Sequence, residues 1–289
     1  MEPMPDHDLH ARLRQQFPQA KPATLRQMLR DGRVKVNDVV ARRLDQPVSE
    51  SDTVEVGETV RTAASKPQFR PALQPMTLVI DDRDFLVVDK PAGLLSSTVP
   101  NEKRPTAWAK VQRHLDMNEP NARPGLIHRL DRDASGLLVF SKSAEAYESL
   151  KEQFFRHTVE RVYMAVTHGV PTPPEGRITS MLVELPNGSV RTSRRPGAGE
   201  KAITDYKTVA RGGGKAAVEV RLETGRKHQI RAHLAERGVP IVGDRMYGKA
   251  DGAPRLMLAA VRLGFTHPRT GRPVLAELAV PKEFPLVGA

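Results

Sequence analysis

The feature that most restricts the fold is Leu137-Leu-Val-Phe140, an unbroken apolar run of the length of a buried strand. It is entered through Gly125-Leu-Ile-His-Arg-Leu-Asp131-Arg-Asp-Ala-Ser-Gly136, a basic, carboxylate-bearing segment that ends in a tight Ala134-Ser135-Gly136 step. Short polar groups at the mouth of a buried strand are where sites are built, carried by loops on a rigid scaffold. Of the carboxylates in this segment, Asp131 is the candidate for a chemical role.

A chain of 289 residues has room for one large domain and a small one. Lys+Arg 45 against Asp+Glu 34 gives a net charge of +11 and a pI near 10.1. That surplus points to a polyanionic partner, nucleic acid ahead of an acidic membrane surface. There is no cysteine, which excludes disulfide frameworks, Cys-ligated zinc and thiol nucleophiles and suits a reducing cytoplasm. The start, Met1-Glu-Pro-Met-Pro-Asp6, has neither the basic nor the apolar region of a signal peptide. No apolar run approaches the roughly 20 residues of a membrane span. A cytoplasmic protein with no membrane partner is the expectation.

Residues 8–57 read as a compact helix-helix-strand unit. Leu9, Leu13 and Phe17 recur at helical spacing before Pro18. Thr24 is placed to start a second helix, with Leu25, Met28 and Leu29 inward and Gly32 as its stop. Val34 and Val36 alternate with Arg33 and Lys35 ahead of an Asn37-Asp38 turn, and Thr53-Val-Glu-Val56 supplies a later strand. Cations crowd this fragment, among them Arg26, Arg30, Arg33 and Lys35, and phosphate contact or a solvated basic surface would each account for them. The order of residues favours the first. From Leu25 to Asn37, closed by Asp52-Thr-Val-Glu-Val-Gly57, the unit resembles the small RNA-binding domain named after ribosomal protein S-four, with Asp38 where that family has Gly.

Residues 58–75 lack periodicity and contain Pro67, Pro71 and Pro75, the composition of an extended linker. From 76 to 289 a second domain opens with strands at 77–80 and 85–88, broken by Lys90-Pro-Ala-Gly93. Helices are expected at 107–115 and 144–155, and strands at 159–166, 204–210, 216–222, 256–265 and 274–280. A flexible basic loop is expected over 190–201. A further helix is expected to be capped by Thr224, to carry Ile230 and Leu234 inward and to stop at Gly238. Many strands, few helices and no regular βα alternation predict an α+β domain on a mixed or antiparallel sheet with flanking helices and loops, preceded by a small α/β domain.

Chemistry-bearing residues gather in two clusters far apart in sequence: His128, Arg129, Asp131, Arg132 and Asp133, then Arg226, Lys227, His228, Gln229, Arg231 and His233. An aspartate at a strand mouth needs a cation to stay ionised as it loses water, and the planar fork of Arg matches a carboxylate best. A metal centre fits poorly. His228 and His233 miss the i, i+4 helix spacing, and Arg226, Lys227 and Arg231 would repel a cation. Asp131 and Asp133 as a glycosidase pair are surrounded by arginines and lack a cleft with aromatic platforms. Gly212-Gly-Gly214 has no Lys-Ser/Thr after it, so it is no phosphate loop.

Several of these segments, taken in order, resemble one family. His128-Arg-Leu-Asp-Arg-Asp-Ala-Ser-Gly136 is similar to the signature of RluA-type pseudouridine synthases. Lys90-Pro-Ala-Gly93, Arg161-Val-Tyr163 with Ala165, and Leu222-Glu-Thr-Gly-Arg-Lys-His-Gln-Ile-Arg231 match further motifs, as do Gly243-Asp-Arg-Met-Tyr-Gly248 and Phe265-Thr-His-Pro268, across residues 76–285. The resemblance implies the pseudouridine synthase fold and isomerisation of a uridine within RNA. The glycosidic bond breaks, the uracil turns and a carbon–carbon bond forms at C5.

On this resemblance Asp131 is the catalytic carboxylate, attacking ribose or uracil or acting as a base on the sugar. Arg231 is its cationic neighbour, with Arg226 in reserve. Tyr163 stacks on the extruded uracil and assists proton removal from C5. Arg129 enters the vacated base stack or contacts phosphate. Arg132, Arg226 and Lys227 join the RNA-contacting surface, and Ile230 or Leu258 lines the base's pocket. His128 and Asp133 are supports, His228 and Gln229 orient backbone or phosphate, and Tyr206 packs in the sheet. No metal or organic cofactor is implied. The expected partner is ribosomal RNA, large-subunit first, or transfer RNA, bound by a monomer. Two departures stand out: Ala134 replaces a Thr and Ala259 a His, each removing a polar group but no catalytic one. The competing class is a non-catalytic RNA-binding ribosome assembly factor on the same fold. Both classes predict RNA affinity that falls with salt; only the enzyme needs Asp131.

Overall fold

The computed structural model of the chain describes residues 7–30, 32–57, 75–98 and 104–284. These form two compact units, one within residues 1–68 and the other within 69–289. The expected linker lies outside the described residues except for Pro75.

The first unit runs β1 (His7–Asp8), α1 (Leu9–Gln16), α2 (Pro22–Arg30), β2 (Val34–Val36), β3 (Val39–Val40), β4 (Pro47–Val48) and β5 (Val54–Val56). Asp8 caps α1 by accepting a hydrogen bond from the Ala11 amide at 2.8 Å, and the helix buries Leu9 and Leu13 against Leu25, Val34 and Val48. The second helix starts at Pro22, two residues before the expected Thr24, because proline suits the first helical position, where no amide donor is needed. Asn37 and Asp38 both have positive φ, 49° and 65°. A two-residue hairpin turn asks this of both positions, and Asp tolerates it better than most side chains, so it can replace the family's Gly.

The second unit opens with the hairpin β6 (Thr77–Asp81) and β7 (Phe85–Lys90). It continues α3 (Ala107–Asn118), β8 (Gly125–Leu126), β9 (Ser135–Ser141), α4 (Ala144–Phe155), β10 (Glu160–His168) and β11 (Glu175–Glu184). It ends β12 (Val190–Ser193), β13 (Glu200–Gly212), β14 (Lys215–Leu222), α5 (Gln229–Glu236), β15 (Leu258–Thr266) and β16 (Pro273–Glu277). The strands make one sheet in the order β12-β11-β13-β14-β10-β15-β9-β7-β6, with β16 paired to β15 and β8 to β9. The β15–β9 contact is parallel and the other pairings are antiparallel, so the sheet is mixed and the domain α+β.

The apolar run is β9, buried along its whole length. Successive side chains of a strand point to opposite faces. Leu138 and Phe140 accordingly enter one core layer, with Val111 and Leu115 of α3, while Leu137 and Val139 enter another, with Leu150 of α4. Covering both faces explains why the run has no polar alternation. At its start, β9 reaches β15 through Ser135↔Ala259 and Gly136↔Ala260, and Ala260 also pairs with Tyr163 of β10. Gly136 has φ +108°, and a Cβ there would stand 2.1 Å from the Ala260 carbonyl oxygen. Only glycine permits this approach.

Three expectations need correction. Residues 190–201 are not all loop: β12 pairs with β11, and β13 has begun by Glu200. Strand β11 was not anticipated, because its inward row of Ile178, Ser180 and Leu182 is interrupted by a serine. Thr224 does not cap α5. Its hydroxyl accepts from the Ile203 amide and donates to Gln229 Oε1, both at 2.8 Å, which fastens the loop to β13, and the helix begins after His228 in a left-handed conformation of φ 52°. No helix among the described residues is long and apolar enough to cross a membrane.

Candidate active site

A cleft of about 530 Å³ opens where β9, β10 and β15 begin or end, lined among others by Arg129, Asp131, Arg161, Tyr163, Ile230 and Leu258. Asp131 sits on the turn before β9, where the Ala134 amide donates to its carbonyl at 3.2 Å. Its side chain is 16% exposed, and Arg231 Nη1 donates to Oδ2 at 3.3 Å. Arg231 comes from α5, one hundred residues away in sequence. Its Nε and Nη2 bind both oxygens of the buried Asp244 at 2.7 and 2.9 Å, and the Tyr247 ring lies 5.1 Å from the guanidinium carbon. Asp244 Oδ1 also accepts from the Met246 and Tyr247 amides at 3.0 and 3.1 Å. Burial works against the Arg231 charge, but Asp244, and after it Asp131, outweigh that and hold the guanidinium above its ordinary value. Asp244 thus has the bidentate claim, and Asp131 has one longer contact.

Lys90 supports the turn from below. Fully buried, its Nζ donates to the carbonyls of Pro91 (3.1 Å), Leu94 (2.8 Å), Arg132 (3.1 Å) and Ala134 (2.7 Å). An ammonium needs no acceptor, and its three N–H donors are shared among these four carbonyls. Burial pulls Lys90 down to about 7, with Asp133 and Asp131 acting in the opposite direction. His128 fixes the other side. Its Nε2 accepts from the Val139 amide at 3.3 Å, and its ring stacks on Phe154 with centroids 4.7 Å apart. Burial, then Arg161 and Lys151, push it down to about 3, so the imidazole is neutral near pH 7.

Tyr163 is buried on β10, and burial pushes its hydroxyl up, Arg161 opposing and Asp131 adding. Arg161, two residues earlier on the strand, is itself buried and donates to the Leu222 and Glu223 carbonyls at 3.2 and 2.7 Å. A Cβ at Gly225 would stand 2.6 Å from its Nη1, so the Thr224-Gly225 step is shaped around it.

The remaining expected residues are placed as follows. Arg129 is exposed and lines the cleft. Arg226 and Lys227 also line it, but Arg226 pairs with Glu200 at 2.7 Å and Lys227 with Glu184, so Arg226 is not the partner of Asp131. Arg132 makes a surface bidentate pair with Asp133 at 2.8 Å. In the first unit Arg26 and Lys35 are exposed, and Arg33 Nε donates to the Gly57 carbonyl at 3.0 Å. The Arg30 side chain lies outside the described residues. Ile230 and Leu258 both line the cleft. His228 Nδ1 and the Tyr247 hydroxyl are 3.0 Å apart. Gln229 is a scaffold residue: its Nε2 donates to Ile203 O and Thr204 Oγ1, both at 2.9 Å. Tyr206 is buried in the sheet and donates to Pro173 O at 3.1 Å. Ala134 and Ala259 both pack in the apolar core, and Ala134 also lines the cleft.

His128, His228 and His233 do not form a ligand set. His233 is a buried core residue between Ser180 Oγ and Thr204 Oγ1, each 2.9 Å away. Among the described residues Asp82, Asp84 and His267 are close enough to share an ion, but Arg269 already binds both oxygens of Asp84. Lys90, Asp244 and Tyr247 lie within the family-like motifs but carry no role that the sequence reading assigns. A cation asked to serve Asp131 from a helix needs an anchor of its own, and that requirement is the sequence signal that singles out Asp244.

A family model described as RNA pseudouridylate synthase matches residues 84–236. An uncharacterized RNA pseudouridine synthase, YlyB, of Bacillus subtilis (strain 168) is 35% identical over 272 residues, 90% of this chain and 86% of that one. The ribosomal large subunit pseudouridine synthase D of Neisseria meningitidis serogroup A is 32% identical over 290 residues, 96% of this chain and 76% of that one. Among solved structures, human RNA pseudouridylate synthase domain containing 4 aligns with a TM-score of 0.60 at 22% identity, covering 71% of this chain and 88% of that one, and shares the fold.

Proposed function

The chain belongs to the RNA pseudouridylate synthase family, of the RluA type, and on that premise we propose that it isomerises a uridine of large-subunit ribosomal RNA at Asp131. The observation that carries the choice of Asp131 is its 3.3 Å contact with Arg231 inside the cleft that Tyr163, Ile230 and Leu258 line. A uridine reaches such a site only by leaving its stack, and Arg129 at the cleft occupies the vacancy. The uracil then lies against the Tyr163 ring and the apolar side chains of Ile230 and Leu258.

The N1–C1′ bond breaks, the uracil turns, and C5 bonds to C1′. The proton lost from C5 balances the one gained at N1, so no oxidant, reductant or co-reactant is consumed. Asp131 opens the sequence either by attack or as a base on the sugar. Both routes begin from an ionised carboxylate, and Arg231 supplies its countercharge once RNA has displaced water. Asp244 occupies two of the guanidinium donors, which keeps Arg231 from closing fully on Asp131. Tyr163, whose hydroxyl burial keeps protonated, holds the turned uracil against its ring and assists loss of the C5 proton without being its acceptor.

The first unit serves as the RNA-capture domain, with Arg26, Arg33 and Lys35 toward phosphate. The protein acts as a cytoplasmic monomer without a resident metal or cofactor. The ribosomal substrate rests on the relatives named as large-subunit synthases. Pseudouridine mapping of total RNA from a knockout strain beside its parent tests it: loss of one or more large-subunit sites is expected. Loss confined to transfer RNA would overturn the substrate class, and no loss at all would overturn the activity.

A further inference from the structure

The cleft has a rim that the isomerisation itself does not use. The last two residues of α4 are both phenylalanines, and neighbouring helix positions face about 100° apart. Phe154 turns inward and stacks on His128. Phe155 turns outward and is 78% exposed, yet it lines the same cleft as Asp131 and Tyr163. An open aromatic ring is unusual here, since Phe, Trp and Tyr together are 4% of the chain. Lys151, one helical turn earlier, shares its stripe on the helix and also lines the cleft, as does His157 just after the helix end. Exposed Lys151 stands one turn before the ring and exposed Arg156, paired with Glu152, directly after it, which disfavours an apolar protein surface as its partner and favours a polyanion that carries flat rings.

Single-stranded RNA has that chemistry. Its bases stack on aromatic side chains while its phosphates meet Lys and Arg, and one such stack is worth roughly ten- to a hundredfold in affinity. We propose that Phe155 is a stacking platform for the base of an unpaired nucleotide next to the target uridine on the same strand, with Lys151 at that nucleotide's phosphate. The subsite rests on the reading of the cleft as the uridine site and extends it to substrate selection, because a flanking nucleotide held in a helix could not present its face to the ring.

The test uses the full chain and two heptanucleotide RNAs with a central uridine, one with 2-aminopurine on its 5′ side and one on its 3′ side. Stacking on an aromatic ring quenches 2-aminopurine fluorescence. Wild-type protein is expected to quench one arm, and Phe155→Leu to abolish that quenching and raise Kd about tenfold, whereas Phe155→Trp keeps both. Because Phe155 is exposed, an unchanged thermal midpoint will show that the Leu variant is folded. On large-subunit ribosomal RNA transcripts the penalty of Phe155→Leu is expected in KM rather than kcat. An abasic nucleotide on the quenched side should weaken wild-type binding about tenfold and add little to the Leu variant. No quenching in either arm, a Kd for Phe155→Leu within twofold of wild type, or penalties that simply multiply would overturn the proposal. An Asp131→Asn protein assayed in parallel separates the two readings. Quenching with lost isomerisation supports both, and quenching with retained isomerisation supports the platform while overturning the role of Asp131.

Discussion

Arg231 carries its charge between two carboxylates of unequal claim, bidentate to Asp244 and singly, at 3.3 Å, to Asp131. Asp131→Asn keeps the shape but removes the charge. It should lower pseudouridine formation by a factor of at least about 10³ while RNA affinity in a filter-binding assay stays within roughly threefold. Asp244→Ala should do structural damage as well. It removes the anchor of a buried guanidinium, and chemical denaturation should show a loss of about 3–5 kcal/mol. One half-buried and one fully buried histidine set a pH window. His128 and His233, pushed down by burial to about 3 and about 4, are neutral when folded, whereas the unfolded chain protonates them near its ordinary value of about 6.5. The unfolded state therefore binds more protons as pH falls below 6.5, and their contribution to stability is lost progressively from there down to the folded values. Between pH 7 and pH 5, above the range of most carboxylates, denaturant midpoints should report a loss of about 1–2 kcal/mol per histidine, smaller in His233→Gln. At this scale Asp131 and Arg231 were legible as chemistry. Their adjacency was expected from the family resemblance, but the partner that positions Arg231 was not.

The elements follow local rules where one residue suffices to state them. The bounds of α4 are set by Ser143, whose hydroxyl accepts from the Ala146 amide at 3.2 Å, and by the left-handed His157 that turns the chain into β10. Strand β9 is legible because both its faces are apolar. Strand β11 was missed because inward Ser180 bonds His233 across the core, a polar pair that only the assembled layers reveal. The central junction of β9 with β15 makes a sharp prediction. Gly136→Ala forces a Cβ onto the Ala260 backbone in a φ region that L-residues avoid, and should destabilise by about 3–5 kcal/mol in urea unfolding. Gly197→Ala, at φ +73° but with nothing within 4 Å, should cost about 1 kcal/mol. If the two variants lost equal stability, the close approach of β15 would not be what glycine serves.

For the molecule as a whole, the net charge of +11 should make RNA affinity fall steeply with salt, and the division into two units lets the proposed capture role be tested apart from the chemistry. A protein lacking residues 1–57 should still isomerise uridine but show a raised KM on whole ribosomal RNA and a shallower salt dependence. Undiminished KM would remove the capture role from the first unit. The sequence by itself determined the α+β class, the two-unit plan and the buried strand, because periodicity, capping and apolar runs are local properties of the chain, while Asp131 as the acid is what the family resemblance implies. Tertiary structure decided the rest. The parallel β9–β15 contact sets Asp131 and Tyr163 one strand apart, and α5 delivers Arg231 already bound to Asp244. It also left Phe155 facing outward at the cleft. These depend on which distant segments share a layer, and pairwise contacts between residues a hundred positions apart leave no periodic trace in the order of the amino acids.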